Sequence, residues 1–166
     1  VELLYNLGID SYMEFLLDCG FDSLQGTREK TGLSLALGSN EITLLELVRA
    51  FSIFPNDGVL KEIQINQQTK NKGKQVIKTD TARIICDFLS DKAAQSLGFG
   101  NAKVFNTEYP SIFKTGTANQ YQDIIALAAT KEYTVGVWLG NLNGETVIKK
   151  TGSSIPALIA RNILDY

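Results

Sequence analysis

The sequence predicts an α+β fold in which an antiparallel sheet packs against helices. Three observations support this class: apolar residues recur at helical spacing early in the chain, three β-rich runs follow residue 111, and a last helical pattern closes the chain. The regular alternation of strands and helices that produces a parallel sheet is not observed. No repeat, linker or low-complexity tract divides the 166 residues, so we predict a single unit over residues 1–166.

Two helices are predicted at the start of the chain. An apolar helical stripe begins at Val1 with no capping residue ahead of it, so we expect that polypeptide preceding Val1 belongs to the same fold. Ser11 and Glu14 match a capping box for the second helix, and Gly20 ends it. Residues 22–38 are rich in Gly, Ser and Thr and lack periodicity, which predicts a surface loop.

A third helix, a hairpin and a fourth helix come next. Thr43 and Glu46 form another capping box, and the apolar stripe behind it stops at the turn sequence of residues 55–58. The hairpin is predicted from a strand, a turn and a returning strand at residues 63–65, 71–73 and 75–77. Asp80 is the expected cap of the fourth helix, and nearby glycines indicate a loop after it.

The last third of the chain predicts the sheet. Its three extended runs are residues 112–113, 124–129 and 133–139. Residues 130–132 are short enough to join the last two runs as a hairpin, and residues 141–144 then end the sheet. Ser154 and Pro156 match the start of a closing helix. The predicted apolar face of this helix consists of Ile155, Leu158, Ile159 and Ile163.

Composition and charge exclude several classes of function. The chain has 16 Lys and Arg against 18 Asp and Glu, so it offers no basic surface for a nucleic-acid backbone. It has no histidine, which excludes serine-histidine-acid triads, cysteine-histidine dyads and the common zinc sites. Cys19 and Cys86 lie in apolar periodic segments, where a buried thiol is expected rather than a metal ligand. We therefore predict no metal, no cofactor and no nucleic-acid partner.

The tripeptide Lys-Thr-Gly occurs three times, at residues 30–32, 114–116 and 150–152. In serine acyl-transferases that use this motif, it lies on an edge strand, where the cation and hydroxyls hold a carboxylate and the glycine lets substrate backbone lie close. Only the middle copy follows an extended apolar run and precedes further strands. The first copy lies in a polar loop and the third leads into the closing helix, so the middle copy is the candidate site.

A lone tripeptide of this kind is also typical of a charged strand end that precedes an ordinary turn. Four longer stretches favour a functional motif instead. They are, in order, GLSLALG at residues 32–38, TLLELVRAF at 43–51, FKTGTA at 113–118 and YTVGVWLG at 133–140. In order and spacing they resemble landmarks of the transpeptidase domain of class A penicillin-binding proteins, most closely the 1C type. The resemblance covers essentially the whole chain, and the segment at Val1 is similar to the helix just after the family's Ser-x-Asn motif.

The resemblance implies a penicillin-binding transpeptidase fold, similar to that of serine β-lactamases, and a peptidoglycan DD-transpeptidase activity. In such enzymes a serine attacks the D-Ala-D-Ala bond of a stem peptide, forms an acyl-enzyme and passes the acyl group to a neighbouring amine. β-Lactam antibiotics are trapped at the same serine. The family's location is the extracytoplasmic (periplasmic) face of the cytoplasmic membrane. No stretch of this sequence is apolar enough to cross a bilayer, so membrane attachment is expected only through upstream segments.

Carried over by position, the resemblance assigns roles to the middle motif. Lys114 supplies positive charge near the substrate carboxylate, and the hydroxyl of Thr115 or Thr117 binds that group. Gly116 leaves room for the peptide to add along the strand edge. The backbone N–H of Thr117 is one of two oxyanion-hole donors, so Lys114 and Thr117 are the predicted catalytic residues. Asp123 matches an acidic position at the start of the family's next strand, where a solvated or turn-capping carboxylate is expected.

The family's nucleophile is not matched in this sequence. Its Ser-x-x-Lys and Ser-x-Asn motifs precede the region of resemblance; Ser-x-Asn does not occur here, and Ser-x-x-Lys occurs only from Ser111 to Lys114. Residues three apart meet on a helix but point to opposite faces of a strand, so we interpret this match as accidental and expect the piece alone to be inactive. Two alternatives stay open: a non-catalytic module that binds wall peptide or a partner protein, and a Ser-Lys hydrolase that uses Ser111.

Overall fold

The computed structural model describes residues 1–65, 73–99, 103–147 and 155–166. Within these residues it contains six α-helices, a two-stranded hairpin and a three-stranded antiparallel sheet. The helices are α1 (Glu2–Leu7), α2 (Ile9–Asp18), α3 (Leu44–Phe51), α4 (Thr79–Ser90), α5 (Lys92–Phe99) and α6 (Ile155–Leu164). The strands are β1 (Val59–Leu60), β2 (Lys74–Gln75), β3 (Ile112–Thr117), β4 (Asp123–Ala129) and β5 (Thr134–Gly140). The predicted α+β class is confirmed.

A single glycine separates the first two helices. Gly8 has φ +88°, and its carbonyl accepts the Tyr12 N–H in the first turn of α2. The predicted capping box at Ser11 is therefore wrong, because the left-handed glycine reverses the chain and the first turn closes before Ser11 is reached. The predicted end of α2 is confirmed: Gly20 has φ +89° and closes the helix in a Schellman motif.

Residues 22–38 lack regular periodicity, as predicted, but they do not all lie at the surface. Three short 3-10 helices form here, and Leu24 and Leu35 pack with Leu4 and Met13 in a buried cluster. Thr31 is also buried, and its hydroxyl donates to a main-chain carbonyl four residues earlier at 2.9 Å. The predicted surface loop is thus partly a core segment, because its tight turns direct isolated leucines onto α1 and α2.

Helix α3 begins with the predicted capping box. The Glu46 N–H donates to the Thr43 hydroxyl at 3.1 Å, and the Glu46 carboxylate accepts from the Thr43 N–H at 2.9 Å. The same carboxylate accepts hydrogen bonds from the N–H and hydroxyl of Ser23 at 2.7 and 2.6 Å. Burial by itself raises the pKa of Glu46, but the hydrogen bonds from Ser23 and Thr43 together lower it from 4.5 to about 2. The cap therefore also fixes the preceding 3-10 segment against α3.

The predicted hairpin forms, but its first strand is shifted. β1 pairs with β2 directly after Gly58, whose carbonyl accepts the N–H groups of Val76 and Ile77. Ile63 and Ile65 lie beyond the strand and are exposed, because pairing starts at the Gly58 turn and ends within two residues. The predicted turn at residues 71–73 falls mostly outside the described residues.

Helix α4 is confirmed, although Asp80 is not its cap. The cap position belongs to Lys78, and Asp80 lies in the first turn, where a negative charge interacts favourably with the helix dipole. Cys86 and Leu89 pack toward the sheet. The loop predicted from Gly98 and Gly100 is wrong at Gly98, which lies in helix α5, and Gly100 falls outside the described residues. Helix α5 has no strong sequence signal, because a glycine in its last turn is a poor helix former.

The three-stranded sheet has the order β3-β4-β5 with antiparallel pairing throughout. It confirms the three predicted strands and the hairpin between β4 and β5, and β3 extends beyond the predicted run to Thr117. One surface of the sheet, which we call the α6 face, carries Phe113 and Ala128. The opposite surface, which we call the α3 face, packs Ile112 and Leu127 against α3 and α4.

Helix α6 packs on the sheet through the side opposite to the predicted one. Ala157 and Ala160 are fully buried, and they pack against Ala126 and Ala128 of β4. Small residues on both surfaces let the helix and sheet approach closely, which leaves no room there for larger side chains. The predicted apolar face is instead 38–52% exposed: Ile155, Leu158, Ile159 and Ile163. Ser154, the predicted helix start, falls outside the described residues. Among the described helices, none is long and apolar enough to span a membrane.

Candidate active site

The candidate motif lies at an edge of the three-stranded sheet. Lys114, Thr115, Gly116 and Thr117 are the last four residues of β3, which pairs with β4 on one side. In the described part of the chain, no strand pairs with the other side of β3. The motif is therefore on an edge strand, as the sequence predicts. Catalytic use of the motif stays a prediction.

Alternation along β3 divides the motif between the two surfaces of the sheet. Lys114 and Gly116 belong to the α3 face, whereas Thr115 and Thr117 belong to the α6 face. Lys114 is exposed, and its ammonium group donates a hydrogen bond to the Thr115 carbonyl at 2.6 Å. A Cβ added at Gly116 would meet no atom within 4 Å, so the strand surface is open at this residue.

The hydrogen-bond pattern determines which main-chain groups of β3 point away from the sheet. The Ala118 N–H donates to the Asp123 carbonyl at 2.8 Å, so these two residues form a hydrogen-bonded pair. Such pairs alternate with non-hydrogen-bonded pairs along an antiparallel ladder. Thr117, which lies opposite Ile124, is the next residue, so its N–H points away from β4 toward the open edge. Thr115 has the same orientation, which agrees with its carbonyl accepting the lysine ammonium.

A tight connection ends β3 directly after the motif. Gln120 and Tyr121 adopt left-handed conformations with φ of 58° and 57°, and the Tyr121 N–H donates to the Ala118 carbonyl at 3.1 Å. The segment after β5 supports this turn, since the Val147 N–H donates to the Tyr121 carbonyl at 2.9 Å. The end of β3 is thus supported by two connections, the turn after β3 and the segment after β5.

The structure does not bring Ser111 and Lys114 together. Ser111 precedes β3 in non-helical backbone, so the two side chains belong to opposite surfaces of the strand. The Ser111 hydroxyl is hydrogen-bonded to the Thr107 hydroxyl at 2.5 Å. The interpretation of this Ser-x-x-Lys match as accidental agrees with the geometry.

The other two copies of the tripeptide do not lie on a described strand. Lys30 ends a short 3-10 helix, and the hydroxyl of Thr31 accepts a hydrogen bond from Asn40 at 2.8 Å in a buried position. The copy at residues 150–152 falls outside the described residues. Of the described copies, the one on β3 alone has the placement that the chemistry needs.

Two further polar groups lie on the α3 face near the end of the motif. The Trp138 indole N–H donates to the Asp123 carboxylate at 2.8 Å, so Asp123 is not only a solvated turn residue. Sequence reasoning missed Trp138. The register of the predicted β4–β5 hairpin was the available signal, because it puts residue 138 opposite residue 125 and therefore on the same surface as residue 123.

The remaining candidate features lie elsewhere or do not form a site. A cavity of about 310 Å³ lies between α3 and the β4–β5 turn, away from Lys114, and its lining includes Val48, Arg49, Lys61 and Lys131. Cys19 is a buried free thiol, as predicted, and burial raises its pKa to about 11. Cys86 is partly buried and also free. The described residues contain no group of three or more side chains suited to hold a metal ion.

Comparison with known proteins identifies the family. The profile of the penicillin binding protein transpeptidase domain matches residues 1–165. Penicillin-binding protein 4 of Bacillus subtilis (strain 168) is 29% identical over 149 residues, which cover 84% of this chain and 24% of the relative. Penicillin-binding protein 1C of Escherichia coli (strain K12) is 26% identical over 160 residues, which cover 95% of this chain and 20% of the relative.

A solved structure supports the fold. A peptidoglycan glycosyltransferase from Burkholderia ambifaria superposes with a TM-score of 0.52 at 18% identity, covering 75% of this chain and 39% of that one. The helices packed on an antiparallel sheet are consistent with the serine β-lactamase-like fold. The chain spans only about a fifth to a quarter of the length of these curated relatives. Because the family profile extends over nearly every residue, the chain belongs to the transpeptidase-domain family of penicillin-binding proteins.

Proposed function

We propose that the chain is part of a peptidoglycan DD-transpeptidase of the class A, 1C type, which binds penicillin and cross-links stem peptides by serine acyl transfer. Membership of the transpeptidase-domain family supports the proposal. The observation that carries it is the position of Lys114, an exposed cation on an open strand edge directly before Thr115, Gly116 and Thr117. Similarity to a protein named penicillin-binding protein 1C supports the 1C type.

Lys114 is proposed to hold the carboxylate at the end of the stem peptide or of a β-lactam. An ammonium group has three N–H donors, and one of them is directed at the Thr115 carbonyl. Within the described residues the other two have no acceptor, so they can bind a carboxylate. A charge-assisted hydrogen bond of this kind is about twice as strong as one between neutral groups. The hydroxyl of Thr115 or Thr117 lies on the opposite, α6 face, and it is proposed to complete the binding of that carboxylate around the open edge of β3.

The open edge of β3 suits a substrate that binds as an added strand. The main-chain groups of Thr115 point outward, so an extended peptide can pair with them. Gly116 carries no side chain on the α3 face, which leaves room for substrate backbone. The outward N–H of Thr117 is one proposed oxyanion-hole donor, since it points to where the carbonyl oxygen of the added strand becomes negatively charged.

The nucleophile is proposed to come from a part of the longer protein outside residues 1–166. Its serine hydroxyl adds to the carbonyl carbon of the D-Ala-D-Ala bond, the terminal D-alanine leaves with a proton on its nitrogen, and an acyl ester remains. The amine of a second stem peptide then attacks that ester, takes the acyl group and returns the serine hydroxyl. By this proposal the chain alone is inactive, and the whole protein works on the extracytoplasmic face of the cytoplasmic membrane.

Labelled penicillin tests this proposal in two preparations. The purified chain should give no covalent adduct by mass spectrometry, whereas an adduct on Ser111 would favour the Ser-Lys hydrolase. In the longer, serine-containing protein, Lys114→Ala should slow acylation roughly ten- to a hundredfold, the range for a lost charge-assisted hydrogen bond. Lys30→Ala alters another copy of the tripeptide and should have no effect. Binding of wall peptide without any adduct in the longer protein would favour the non-catalytic module.

A further inference from the structure

The α3 face carries a carboxylate and an indole side by side at the end of the sheet where the motif ends. Asp123 is the first residue of β4 and lies opposite Ala118, the residue that follows Thr117. The Trp138 indole N–H donates to the Oδ1 atom of Asp123 at 2.8 Å. This hydrogen bond fixes the direction of the carboxylate, so its second oxygen is held in a defined position.

A glycine on β5 makes this arrangement sterically possible. Gly140 is paired with Asp123 across the ladder, and a Cβ added to it would lie 2.3 Å from the Cζ2 atom of Trp138. The indole therefore lies over the backbone of Gly140, in the space that any other residue would fill. The indole N–H reaches the carboxylate only because residue 140 has no side chain.

In the part of the chain that the structure describes, no cation lies beside the second oxygen of the carboxylate. Within the described residues, Oδ2 of Asp123 accepts no hydrogen bond and Asp123 forms no ion pair. Lys114 lies on the same face, but four residues along the ladder and one strand away, which is roughly 14 Å between Cα atoms. Trp138 is 36% exposed, so part of its aromatic surface also faces solvent.

An exposed carboxylate next to an exposed indole has the chemistry of an ammonium site. The carboxylate attracts the positive charge and accepts its N–H groups, and the negative face of the indole attracts the same cation. An anion is repelled here, and a neutral amide can donate a hydrogen bond to the carboxylate but gains neither charge attraction nor a cation–π interaction. We propose that Asp123 and Trp138 bind a primary ammonium group.

The identity of the ligand rests on the proposed function. Acyl transfer to an amine needs a second substrate whose amine arrives close to the oxyanion donor, and Asp123 lies one residue pair beyond Thr117. Asp123 lies on β4, two strand spacings or about 10 Å from a substrate paired with the open edge of β3. The Asp123–Trp138 site therefore captures the acceptor peptide through its ammonium group, and this group leaves the site and gives its proton to water before the amine attacks. The site adds specificity for the acceptor, while Lys114 acts on the donor.

The single tryptophan of the chain reports directly on this site, since Trp138 is the only one among the 166 residues. The experiment titrates the purified chain with Nα-acetyl-lysine amide and follows indole emission. We expect a saturable change in the millimolar range. The Nα,Nε-diacetyl compound, which lacks the charge, should cause none. An equal response to the two compounds would overturn the proposal.

Matched variants assign the effect to the carboxylate. Asp123→Asn keeps an acceptor for the indole N–H but removes the charge, and it should weaken binding of the lysine compound at least about fivefold. Glu132→Gln neutralises an exposed carboxylate in the β4–β5 turn and should leave binding unchanged. Unchanged affinity in Asp123→Asn, or an equal loss in both variants, would refute the assignment.

A second measurement separates this inference from the proposed function. In the longer protein, Asp123→Asn should raise the KM for the amine acceptor while leaving penicillin acylation at its normal rate. Lack of ammonium binding together with Lys114-dependent acylation would sink the inference alone. Ammonium binding in a protein that penicillin never acylates would refute the proposed transpeptidase function but support the ammonium site.

Discussion

Helix α3 is held against the sheet at Gly136, and replacing this glycine with alanine tests that packing. A Cβ at residue 136 would lie 2.2 Å from a methyl carbon of Val48 and 3.2–3.3 Å from methyl carbons of Leu127 and Leu44. Val48 is β-branched and has few rotamers to adopt on a helix, so it cannot turn away from the new methyl group. The helix itself has to move away from β5.

The size of the effect follows from two opposing terms. Overpacking of a well-packed contact costs about 1–3 kcal/mol. Loss of glycine's freedom in the unfolded chain returns about 0.4–1 kcal/mol. We therefore expect Gly136→Ala to lower the free energy of unfolding by about 1–2 kcal/mol. Gly116→Ala is the matched control on the same surface of the sheet, because its added methyl group meets no atom within 4 Å. It should leave stability unchanged or raise it by up to about 1 kcal/mol.

Urea denaturation followed by far-ultraviolet circular dichroism measures both variants under one condition. We expect a midpoint for Gly136→Ala clearly below that of the parent chain and a midpoint for Gly116→Ala at or above it. Equal midpoints for the two variants would refute the contact between α3 and β5, and with it the arrangement of the surface that carries Lys114.

Two other predictions concern stability. Because the folded-state pKa of Glu46 is lowered to about 2, its contribution to stability is complete above its ordinary pKa of 4.5 and is lost as the pH falls toward 2. Glu46→Gln should therefore lower the free energy of unfolding at pH 7 by about 1 kcal/mol and flatten its pH dependence between pH 5 and 2, whereas parallel pH profiles would contradict the cap. Ala160→Leu should destabilise the chain by at least about 1–3 kcal/mol, because it adds volume to a buried contact. Leu158→Ala should cost less than about 1 kcal/mol, because that side chain is half exposed. Melting temperatures in the reverse order would mean that α6 packs through its larger side chains.

The strands and the edge position of the motif could be predicted because their signals are local. The runs that became β4 and β5 are β-rich and are separated by a turn of minimal length, so pairing in a hairpin leaves few alternatives. Lys114 then falls on the strand that precedes this hairpin. Thr43 could likewise be identified as a cap, because its partner Glu46 lies in the next turn.

Features set by packing could not be predicted in the same way. The apolar pattern of α6 favours its Ile and Leu residues as the buried side. Ala157 and Ala160 are buried instead, because Ala126 and Ala128 on β4 let them approach the sheet closely. Close packing of small residues therefore outweighed the hydrophobicity of the larger ones. The box at Ser11 fits the same pattern as the one at Thr43, yet a left-handed glycine ahead of it had already started the helix.

The pairing of Trp138 with Asp123 joins residues 15 apart in sequence and depends on the strand register. The predicted hairpin puts the two residues on one surface of the sheet, but the sequence contains no signal that their side chains form a hydrogen bond.

The most direct test of the central claim compares penicillin with its carboxyl methyl ester in the longer, serine-containing protein. If Lys114 binds the substrate carboxylate, Lys114→Ala slows acylation by penicillin roughly ten- to a hundredfold, while the ester reacts slowly with both proteins and at nearly the same rate. An equal loss for penicillin and its ester would contradict the account, because the ammonium at residue 114 would then act on something other than the carboxylate.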